Sequence, residues 1–421
     1  MKVSRMADGL TSSAILILAG EIREKIEAGI DIYNLTIGDF NPEIFPIPEE
    51  LKREISIAYQ QNHTNYPVSN GMLELREAIS RFTSAREGLD YQADEILVGS
   101  GARPMIFSAY MSLVDSGDTL IYPAPSWNNN YYGHIMGAKS IVIPTQPEQN
   151  FMLSAEDLAP HIEGANLLAL CSPLNPTGTV FSKEQLSGIC ELVLAENKRR
   201  AEGAKPLYLL YDQIYWNLTY GETKHYNPVS LYPEMRQYTI FIDGISKAFA
   251  ATGLRLGWAF GPKEVIQKMK TITAHIGAWP AKAEQVATGR FLSQLELVDR
   301  RLNDMREKVY ARLEAFYKGF QTLKAKGYPI EAIAPQAAIY LTVKIDLNGY
   351  LQPSGKLISS NEDTHAYLLE EARLALVPFS SFGMTEEIPW YRLSIGTARL
   401  EDIPVIFEKL EAALGRLLPH N

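Results

Sequence analysis

Apolar and polar positions divide the chain into regions with different periodicity. From about residue 94 to residue 260, apolar runs of strand length alternate with longer amphipathic stretches of helical spacing. That alternation is typical of a parallel α/β sheet whose strands are buried on both faces. The apolar runs predict seven strands, at 95–99, 119–122, 140–143, 167–171, 207–211, 239–242 and 256–260.

The flanking regions follow other patterns. Ahead of the sheet, helical spacing predicts helices at 12–28, 49–61 and 73–86, with an extended arm at 32–37. After Pro280 we predict one long charged amphipathic helix over 284–326, with a bend. The remainder has an α+β pattern, with strands at 339–345, 374–378 and 391–395, helices at 363–372 and 402–418, and a surface loop at 346–361.

These elements predict an α/β fold with a large and a small domain. Residues 1–45 would form an N-terminal helix and arm that pack on the small domain. Residues 46–295 would form the large domain, with a mostly parallel seven-stranded sheet flanked by helices. Residues 296–421 would form the smaller α+β domain.

Composition and charge exclude several classes of protein. Charged residues make up 21% of the chain, and the net charge of −9 is spread without long blocks, which argues against a nucleic-acid partner. The two cysteines read as buried thiols of a reducing compartment. The apolar run at 14–19 continues into a charged helix rather than a cleavage site, and no run has membrane-spanning length. We therefore predict a cytoplasmic protein.

Candidate chemistry lies at the ends of the predicted strands, because ligands of open parallel sheets bind outside the carboxyl ends of the strands. After the first strand, Gly101 and Ala102 leave backbone N–H groups open, and Pro104 suits the first position of a helix. This pattern predicts a phosphate site at a helix N-terminus, although an ordinary helix start looks the same.

The second, fourth and fifth predicted strands are followed by polar or aromatic residues. Trp127 could stack on a flat ligand or equally anchor the core. Asn175 lies in an irregular turn restricted by two prolines and a glycine. Asp212 ends an apolar strand, with Tyr215 three residues later. A buried acid implies a cationic partner, although Asp212 could instead be the N-cap of a following helix.

Lys247 follows the strand at 239–242, next to Ser246 and eight residues before Arg255. Its neighbours are largely apolar, so the amine is expected to be poorly hydrated, which favours the neutral, nucleophilic form. The alternative is a lysine whose stem lies along apolar surface while its amine stays in water.

An amine, a carboxylate, a phenol with an amide, an aromatic face and a phosphate site are together what pyridoxal phosphate requires. The chain resembles the fold-type I pyridoxal-phosphate enzymes of the class I/II aminotransferase family, from about Gly38 to Arg392. The matching segments are NYPVSNG with LREAI, GSGA, PAPSW, NPTG, YDQIY, SKAFAATGLRLGW and YRLSIGT.

The resemblance implies a role for each cofactor residue. Lys247 would form the Schiff base and carry the proton, and Asp212 would pair with the pyridinium nitrogen. Tyr215 and Asn175 would hydrogen-bond the ring phenolate, and Trp127 would stack on the ring. The phosphate would be held by Arg255, Ser246 and the N–H groups of Gly101 and Ala102.

The resemblance also implies an assembly and a substrate grip. Tyr66 corresponds to a tyrosine that reaches the phosphate of the partner subunit, which implies a homodimer with shared active sites. Arg392 would bind the substrate α-carboxylate, and Gly38 would close over it. Arg103 would read a distal carboxylate, where relatives with acidic substrates carry a lysine, or it would face solvent or the dimer interface.

The family resemblance implies an aminotransferase that exchanges an amino group between an L-amino acid and a 2-oxo acid, with no metal. Arg103 points to an acidic substrate such as aspartate or glutamate, whereas Phe379 argues against an acidic pocket, so the sequence leaves the substrate open. A β-eliminating lyase on the same fold is the alternative. A non-catalytic DNA-binding regulator is not expected, because residues 1–45 leave little room for the extra domain. Phe379 replaces a family glycine and is expected to narrow the substrate channel.

Overall fold

A computed structural model describes residues 3–419, apart from the side chain of Leu16. The strands, in chain order, are β1 Tyr33–Asn34, β2 Ile96–Gly99, β3 Thr119–Ala124, β4 Lys139–Pro144, β5 Leu167–Cys171, β6 Tyr208–Asp212, β7 Thr239–Gly244, β8 Gly257–Phe260, β9 Ile330–Ala332, β10 Tyr340–Ile345, β11 Tyr350–Leu351, β12 Leu374–Ala375, β13 Val377–Pro378, β14 Trp390–Ser394 and β15 Leu418–Pro419.

The α-helices cover both faces of the large sheet and one side of the smaller one. In chain order they are α1 Arg5–Asp8, α2 Ala14–Glu27, α3 Glu49–Gln60, α4 Leu73–Glu87, α5 Ala102–Leu113, α6 Asn129–Met136, α7 Ala155–Leu158, α8 Lys183–Arg199, α9 Pro228–Leu231, α10 Ile245–Ala248, α11 Lys263–Ile276, α12 Lys282–Leu292, α13 Leu295–Ala325, α14 Asn361–Glu371 and α15 Ile403–Leu414. In the described part of the chain, no helix is long and apolar enough to cross a membrane.

The large sheet has the strand order β2-β8-β7-β6-β5-β3-β4. The five strands from β7 to β4 run parallel, whereas β8 is antiparallel to both of its neighbours. The carboxyl ends of β5, β6 and β7 therefore lie side by side at one edge of the sheet. This is the edge at which the sequence predicted the ligand site.

Apart from the largely exposed edge strand β4, both faces of the large sheet are buried, which explains why its strands are mostly apolar rather than alternating. One face packs on α4, α8 and α12 through residues such as Leu75, Leu186 and Phe291. The other face packs on α5 and α11 through Met105 and Ile266. Helix α8 begins with a capping box, in which Ser182 Oγ accepts from Gln185 N at 3.1 Å and Gln185 Oε1 accepts from Ser182 N at 3.0 Å.

The smaller sheet is antiparallel, with the order β13-β14-β10-β9, and packs on α13, α14 and α15. Helix α13 joins the two cores, since Val298 and Leu302 pack with the large sheet while Met305 and Val309 pack with the small one. The division into 1–45, 46–295 and 296–421 stays a prediction, because a continuous helix serves both cores.

The N-terminal arm is pinned on the small sheet on both sides of Gly38. Strand β1 pairs with β12, Ser394 N donates to Leu35 O at 2.9 Å, and Asn41 N donates to Gly396 O at 2.9 Å. The carbonyl of Gly38 is thereby held at a fixed position against the carboxyl edge of the large sheet.

The seven strands predicted for the large sheet are confirmed within one or two residues at each end. Two long predictions are wrong in detail. The helix predicted at 284–326 is interrupted at 293–294, where Ser293 Oγ donates to Gly289 O at 2.8 Å and Gln294 turns the chain with ψ 70. The strand predicted at 374–378 is divided at Leu376, because β12 pairs with β1 whereas β13 pairs with β14.

Smaller differences concern other local features. Helix α5 begins at Ala102, so Pro104 is its third residue rather than its first. A proline is tolerated there because the first N–H groups of a helix have no intrahelical acceptor. Helices α6 and α11 were not predicted, and the predicted loop at 346–361 contains the short strand β11, which pairs with β15.

Candidate active site

A cavity of about 560 Å³ lies where the carboxyl ends of β5, β6 and β7 meet the arm and the small sheet. The residues predicted for the site from the sequence converge on this cavity, apart from Gly101 and Tyr66. Those that line it are Gly38, Ala102, Arg103, Trp127, Asn175, Asp212, Tyr215, Ser246, Lys247, Arg255 and Arg392.

Lys247 projects into the cavity from α10, the short helix that follows β7. Its Nζ donates to the Gly38 carbonyl at 2.7 Å. Burial lowers the pKa of the amine to about 8, Asp39 opposes that shift, and the charges of Arg392, Arg103 and Arg255 add to it. The amine therefore lies in the cavity rather than in water, and near neutral pH its neutral fraction is far larger than that of a lysine in water.

Asp212 is the last residue of β6, beside Cys171 of β5. Its Oδ1 accepts from Ile214 N at 3.1 Å. Burial raises the pKa of the carboxyl to about 6, and within the described residues no cation offsets that burial. The cationic partner expected from the sequence is thus not supplied by the described residues, and the N-cap alternative is wrong because turns, not a helix, follow. A buried carboxylate aimed into a cavity fits a protonated ring nitrogen.

Tyr215 and Asn175 approach the cavity from neighbouring strand ends. The Tyr215 and Tyr340 hydroxyl oxygens are 2.6 Å apart. Asn175 Oδ1 accepts from Arg392 Nη1 at 3.0 Å, which leaves the amide hydrogens of Asn175 as donors. The two side chains can therefore present an O–H and an N–H to one acceptor oxygen.

The phosphate-sized end of the cavity is formed by the N-terminus of α5 and by Arg255. Gly101 is the N-cap of α5 with φ 103, and a Cβ there would meet Arg255 Nη2 at 2.5 Å. Arg255 Nη1 donates to Thr252 O at 2.7 Å, and Ser246 is buried nearby in the lining. A guanidinium, a hydroxyl and helix N–H groups are donors suited to a phosphate.

Arg392 is only 2% exposed and lies on β14, under the arm. Its Nη2 donates to Thr36 O at 2.6 Å, and its guanidinium carbon lies 4.7 Å from the Tyr340 ring centroid and 4.9 Å from that of Phe382. Its Nε has no hydrogen-bond partner within residues 3–419. A buried guanidinium with an unused donor fits a bound carboxylate.

Arg103 and Trp127 form the outer part of the cavity. The Arg103 guanidinium carbon lies 5.0 Å from the Trp127 ring centroid, and Trp127 packs against Phe382 with centroids 6.3 Å apart. Trp127 is partly buried, lines the cavity and also packs against the apolar cluster that contains Phe382, so the structure is compatible with both of its predicted roles. Arg103 is exposed in the single chain, which leaves both of its predicted roles open.

Two predicted residues lie elsewhere. Tyr66 is 83% exposed and packs edge-on against Trp279, so the single chain leaves its predicted role in a partner's site untested. Phe379 does not narrow the cavity as expected, because it is buried against Phe151, with ring centroids 5.0 Å apart, behind Phe382.

Several lining residues were missed by the sequence reasoning. Thr252 lies inside the motif that holds Lys247 and Arg255, and Asp39 follows Gly38, so proximity in the sequence could have indicated both. Tyr340, Ile15 and Asn129 also line the cavity. Tyr340 and Ile15 reach it only through the packing of the small sheet and the N-terminal helix, which no local pattern reports.

The charges in the cavity fit pyridoxal phosphate together with a carboxylic acid. Four cationic side chains and two carboxylates line the cavity. Three of the cations are arginines, which suit a phosphate or a carboxylate, and the fourth is the Lys247 amine. The unpaired Asp212 carboxylate and the unused Arg392 Nε are the two features that such ligands would satisfy. Over the described residues, no group of three His, Cys, Asp or Glu side chains could hold a metal ion.

Comparisons with known proteins agree on one family. The sequence profile of the family described as "Aminotransferase class I and II" matches residues 30–410. The aspartate aminotransferase of Rhizobium meliloti (strain 1021) is 30% identical over 386 residues, which are 91% of this chain and 89% of that protein. A bifunctional aspartate aminotransferase and glutamate/aspartate-prephenate aminotransferase of Petunia hybrida is 31% identical over 100% of this chain and 84% of its own.

Solved structures agree with these relatives. The crystal structure of the aspartate aminotransferase from Rhizobium meliloti superposes with a TM-score of 0.90 and 28% identity, over 99% of this chain and 100% of that chain. The aspartate aminotransferase from Thermus thermophilus with maleate superposes with a TM-score of 0.86 and 27% identity, over 98% of this chain and 100% of that chain.

Proposed function

This chain belongs to the aminotransferase class I and II family, and from that membership we propose that it uses pyridoxal phosphate to exchange an amino group between an acidic L-amino acid and a 2-oxo acid. The enzyme is an aminotransferase of fold type I, and its substrates are small amino and keto acids. Enzymes of this family use pyridoxal phosphate in general. Its binding here, the roles of single residues and the choice of substrate are our proposals.

The observation that carries the proposal is the meeting of the Lys247 amine and the Asp212 carboxylate in one cavity. The amine has a pKa lowered to about 8 by burial, and the carboxylate has no cationic partner within residues 3–419. A lysine with a purely structural role would form an ion pair with that carboxylate or extend its amine into water. The Lys247 amine does neither, so the amine and the carboxylate are both available to a bound ligand.

When bound, pyridoxal phosphate supplies an aldehyde that combines with an amine and a ring that accepts the electron pair left by a broken Cα–H bond. Asp212 would hold a proton on the ring nitrogen, which increases the ring's capacity to accept electrons. Lys247 Nζ would take the proton from the substrate Cα in the first half of the reaction and return a proton to Cα in the second half. Its lowered pKa makes the neutral base available near pH 8.

The remaining cofactor residues would orient the ring. Arg255, Ser246 and the N–H groups at Gly101 and Ala102 would bind the phosphate, with Arg255 as the main cation. Tyr215 and Asn175 would donate to the phenolic oxygen, and Trp127 would cover one face of the ring. These contacts fix the ring so that the breaking Cα–H bond faces Lys247.

Two arginines would read a dicarboxylic substrate. Arg392 would bind the α-carboxylate through its terminal nitrogens, each of which keeps a second hydrogen beside those donated to Asn175 and Thr36, and the Gly38 backbone would close over it. Arg103 would bind the distal carboxylate. The relatives named as aspartate and prephenate aminotransferases, and the Thermus thermophilus structure with maleate, a dicarboxylate, support an acidic substrate.

A spectroscopic half-reaction tests the proposal. The purified enzyme loaded with cofactor is mixed with aspartate, glutamate, alanine or tyrosine, without any acceptor. We expect aspartate and glutamate to convert the visible band to that of the aminated cofactor, and a 2-oxo acid to restore it. Release of pyruvate together with phenol from tyrosine, without conversion of the band, would favour the β-eliminating lyase, and an unchanged band with every donor and no such products would contradict the proposal.

Arg103→Ala tests the choice of substrate separately. We expect kcat/KM for aspartate to fall roughly 30-fold, about 2 kcal/mol, while kcat/KM for alanine stays within about 2-fold. Equal losses for the two donors would assign Arg103 to the surface or to an interface.

Three further predictions remain proposals. The enzyme would act as a homodimer in which Tyr66 reaches the partner's phosphate site, in the cytoplasm, with a domain division near residues 45 and 295. The exposed position of Tyr66 beside Trp279 supports the first of these.

A further inference from the structure

Tyr340 touches three parts of the proposed machinery and has no role in the account so far. It lies on β10, is 2% exposed and lines the cavity. Its hydroxyl oxygen is 2.6 Å from that of Tyr215, and its ring supports the Arg392 guanidinium at 4.7 Å. A Cβ on Gly38 would meet the same hydroxyl at 2.9 Å.

The number of hydrogens decides which tyrosine donates. Each hydroxyl has one hydrogen to donate, and in the chain alone either tyrosine could be the donor of the shared bond. If Tyr215 donates to the phenolic oxygen of the cofactor, as proposed above, its hydrogen is no longer available to Tyr340. The 2.6 Å contact can then persist only with Tyr340 as donor and Tyr215 as acceptor.

We propose that Tyr340 is a positioning residue that donates to Tyr215 and thereby directs the Tyr215 hydroxyl hydrogen to the phenolic oxygen of bound pyridoxal phosphate. This inference rests on the proposed function. Through its ring, Tyr340 also holds Arg392, so one side chain supports both the cofactor contact and the carboxylate grip.

The protonation of the pair fits this role. Burial raises the pKa of Tyr215 well above its usual value and also raises that of Tyr340, so both hydroxyls stay protonated near neutral pH. A hydroxyl that accepts one hydrogen bond is a stronger donor of another. Loss of the Tyr340 hydroxyl would therefore weaken the contact of Tyr215 with an anionic phenolic oxygen and disfavour that anion.

The test is a pH titration of the visible absorption band of the holoenzyme. We expect Tyr215→Phe to raise the pKa of the band by roughly 1 unit and Tyr340→Phe to raise it by roughly 0.3 unit. The double variant should match Tyr215→Phe alone, because Tyr340 acts only through Tyr215. Tyr391→Phe is the matched control: Tyr391 is buried in the same sheet, but its hydroxyl donates to Asn361, and the band should keep its pKa.

A second readout separates the hydroxyl from the ring. Tyr340→Phe keeps the ring under Arg392, so KM for the amino acid should stay within about 2-fold of wild type, whereas Tyr340→Leu should raise KM roughly 5-fold or more. A structural role of Tyr340 alone would affect both variants through stability and would leave the band pKa unchanged.

The outcomes separate this inference from the proposed function. If Tyr215→Phe shifts the band but Tyr340→Phe does not, or if the two shifts add in the double variant, the role of Tyr340 is overturned while the proposed function stands. If no variant, including wild type, shows a cofactor band, the proposed function fails and the inference fails with it.

Discussion

The Lys247 amine illustrates how the cavity changes the chemistry of a single residue. An amine reacts with an aldehyde only when it is neutral. A lysine in water has a pKa of about 10.4, so most of it is neutral only when the pH is higher than that value. Burial lowers the pKa of Lys247 to about 8. The fraction of reactive amine is therefore half-maximal near pH 8 and levels off about one pH unit above that value.

We predict that this profile governs reconstitution. The rate at which cofactor-free enzyme takes up pyridoxal phosphate should rise with pH, be half-maximal near pH 8 and reach a plateau about one pH unit higher, as measured by stopped-flow absorbance. A rate that still rises beyond about pH 9.5 would show an amine in water. Free lysine with the same aldehyde is the control for changes in the cofactor itself.

Arg392 binds through geometry as well as charge. Its two terminal nitrogens already donate to Asn175 and Thr36, and Nε has no partner in the described structure. We predict that Arg392→Lys lowers kcat/KM for the amino acid roughly 100-fold, about 2.7 kcal/mol, mainly through KM, because an ammonium cannot reproduce the planar fork. Cofactor affinity should change by less than about 3-fold; a larger loss would place Arg392 in the cofactor site instead.

Sequence alone indicated Lys247 and Asp212, because each follows or ends an apolar strand where an unpaired polar group is costly, whereas Arg392 was predicted from the family resemblance. It did not reach Tyr340 and Ile15. Those side chains enter the cavity because the small sheet and the N-terminal helix pack against the large sheet, and that packing leaves no trace in the local pattern of polar and apolar residues.

At the scale of elements, the turn from β2 into α5 places the helix N-terminus beside Arg255. Gly101 has φ 103 there, and its missing Cβ leaves room for the Arg255 guanidinium. We predict that Gly101→Ala lowers cofactor affinity at least roughly 10-fold, about 1.4 kcal/mol, because the methyl group displaces the guanidinium.

The control for this prediction is Gly117→Ala. Gly117 also has a positive φ, 90, but a Cβ there meets nothing within 4 Å. Both variants should lose about 1 kcal/mol of stability from the backbone alone, measured by urea unfolding of the cofactor-free protein. If Gly117→Ala weakens cofactor binding as much as Gly101→Ala does, the effect is general destabilisation rather than a displaced Arg255.

Elements were predicted accurately where their physical cause is visible in the local sequence, and less accurately where the cause is tertiary packing. Apolar runs located the large-sheet strands because burial on both faces demands them. The interruption at 293–294 was predicted only as a bend. It depends on the Ser293 hydroxyl and on tertiary packing, because α12 packs with the core of the large sheet whereas α13 packs with both cores. The strand at 374–378 was read as one run, because its apolar pattern continues while its pairing partner changes.

For the whole molecule, we predict a dimer with shared sites. Tyr66 is exposed beside Trp279 and would donate to the partner's phosphate. Tyr66→Phe should weaken cofactor binding roughly 10-fold without changing the assembly seen by analytical ultracentrifugation. Assembly is where sequence reasoning relied wholly on resemblance, because a single chain contains no pattern that states its own partner.

A mixed dimer makes this prediction decisive. One chain carries Lys247→Ala and the other carries Tyr66→Phe, so a shared arrangement pairs the intact Lys247 of the second chain with the intact Tyr66 of the first. We expect one site of wild-type affinity per mixed dimer. Weak binding at that site would mean that each chain uses its own Tyr66, whereas wild-type affinity in the Tyr66→Phe homodimer as well would mean that Tyr66 does not contribute to the site.

The measurement that tests the central claim most directly is the location of the cofactor attachment. The holoenzyme is reduced with borohydride, digested, and its peptides are weighed by mass spectrometry. The account predicts a pyridoxyl group on the peptide that contains Lys247, and its loss when aspartate is added before the reduction. A pyridoxyl group on another lysine, or none on any peptide of the loaded enzyme, would contradict it.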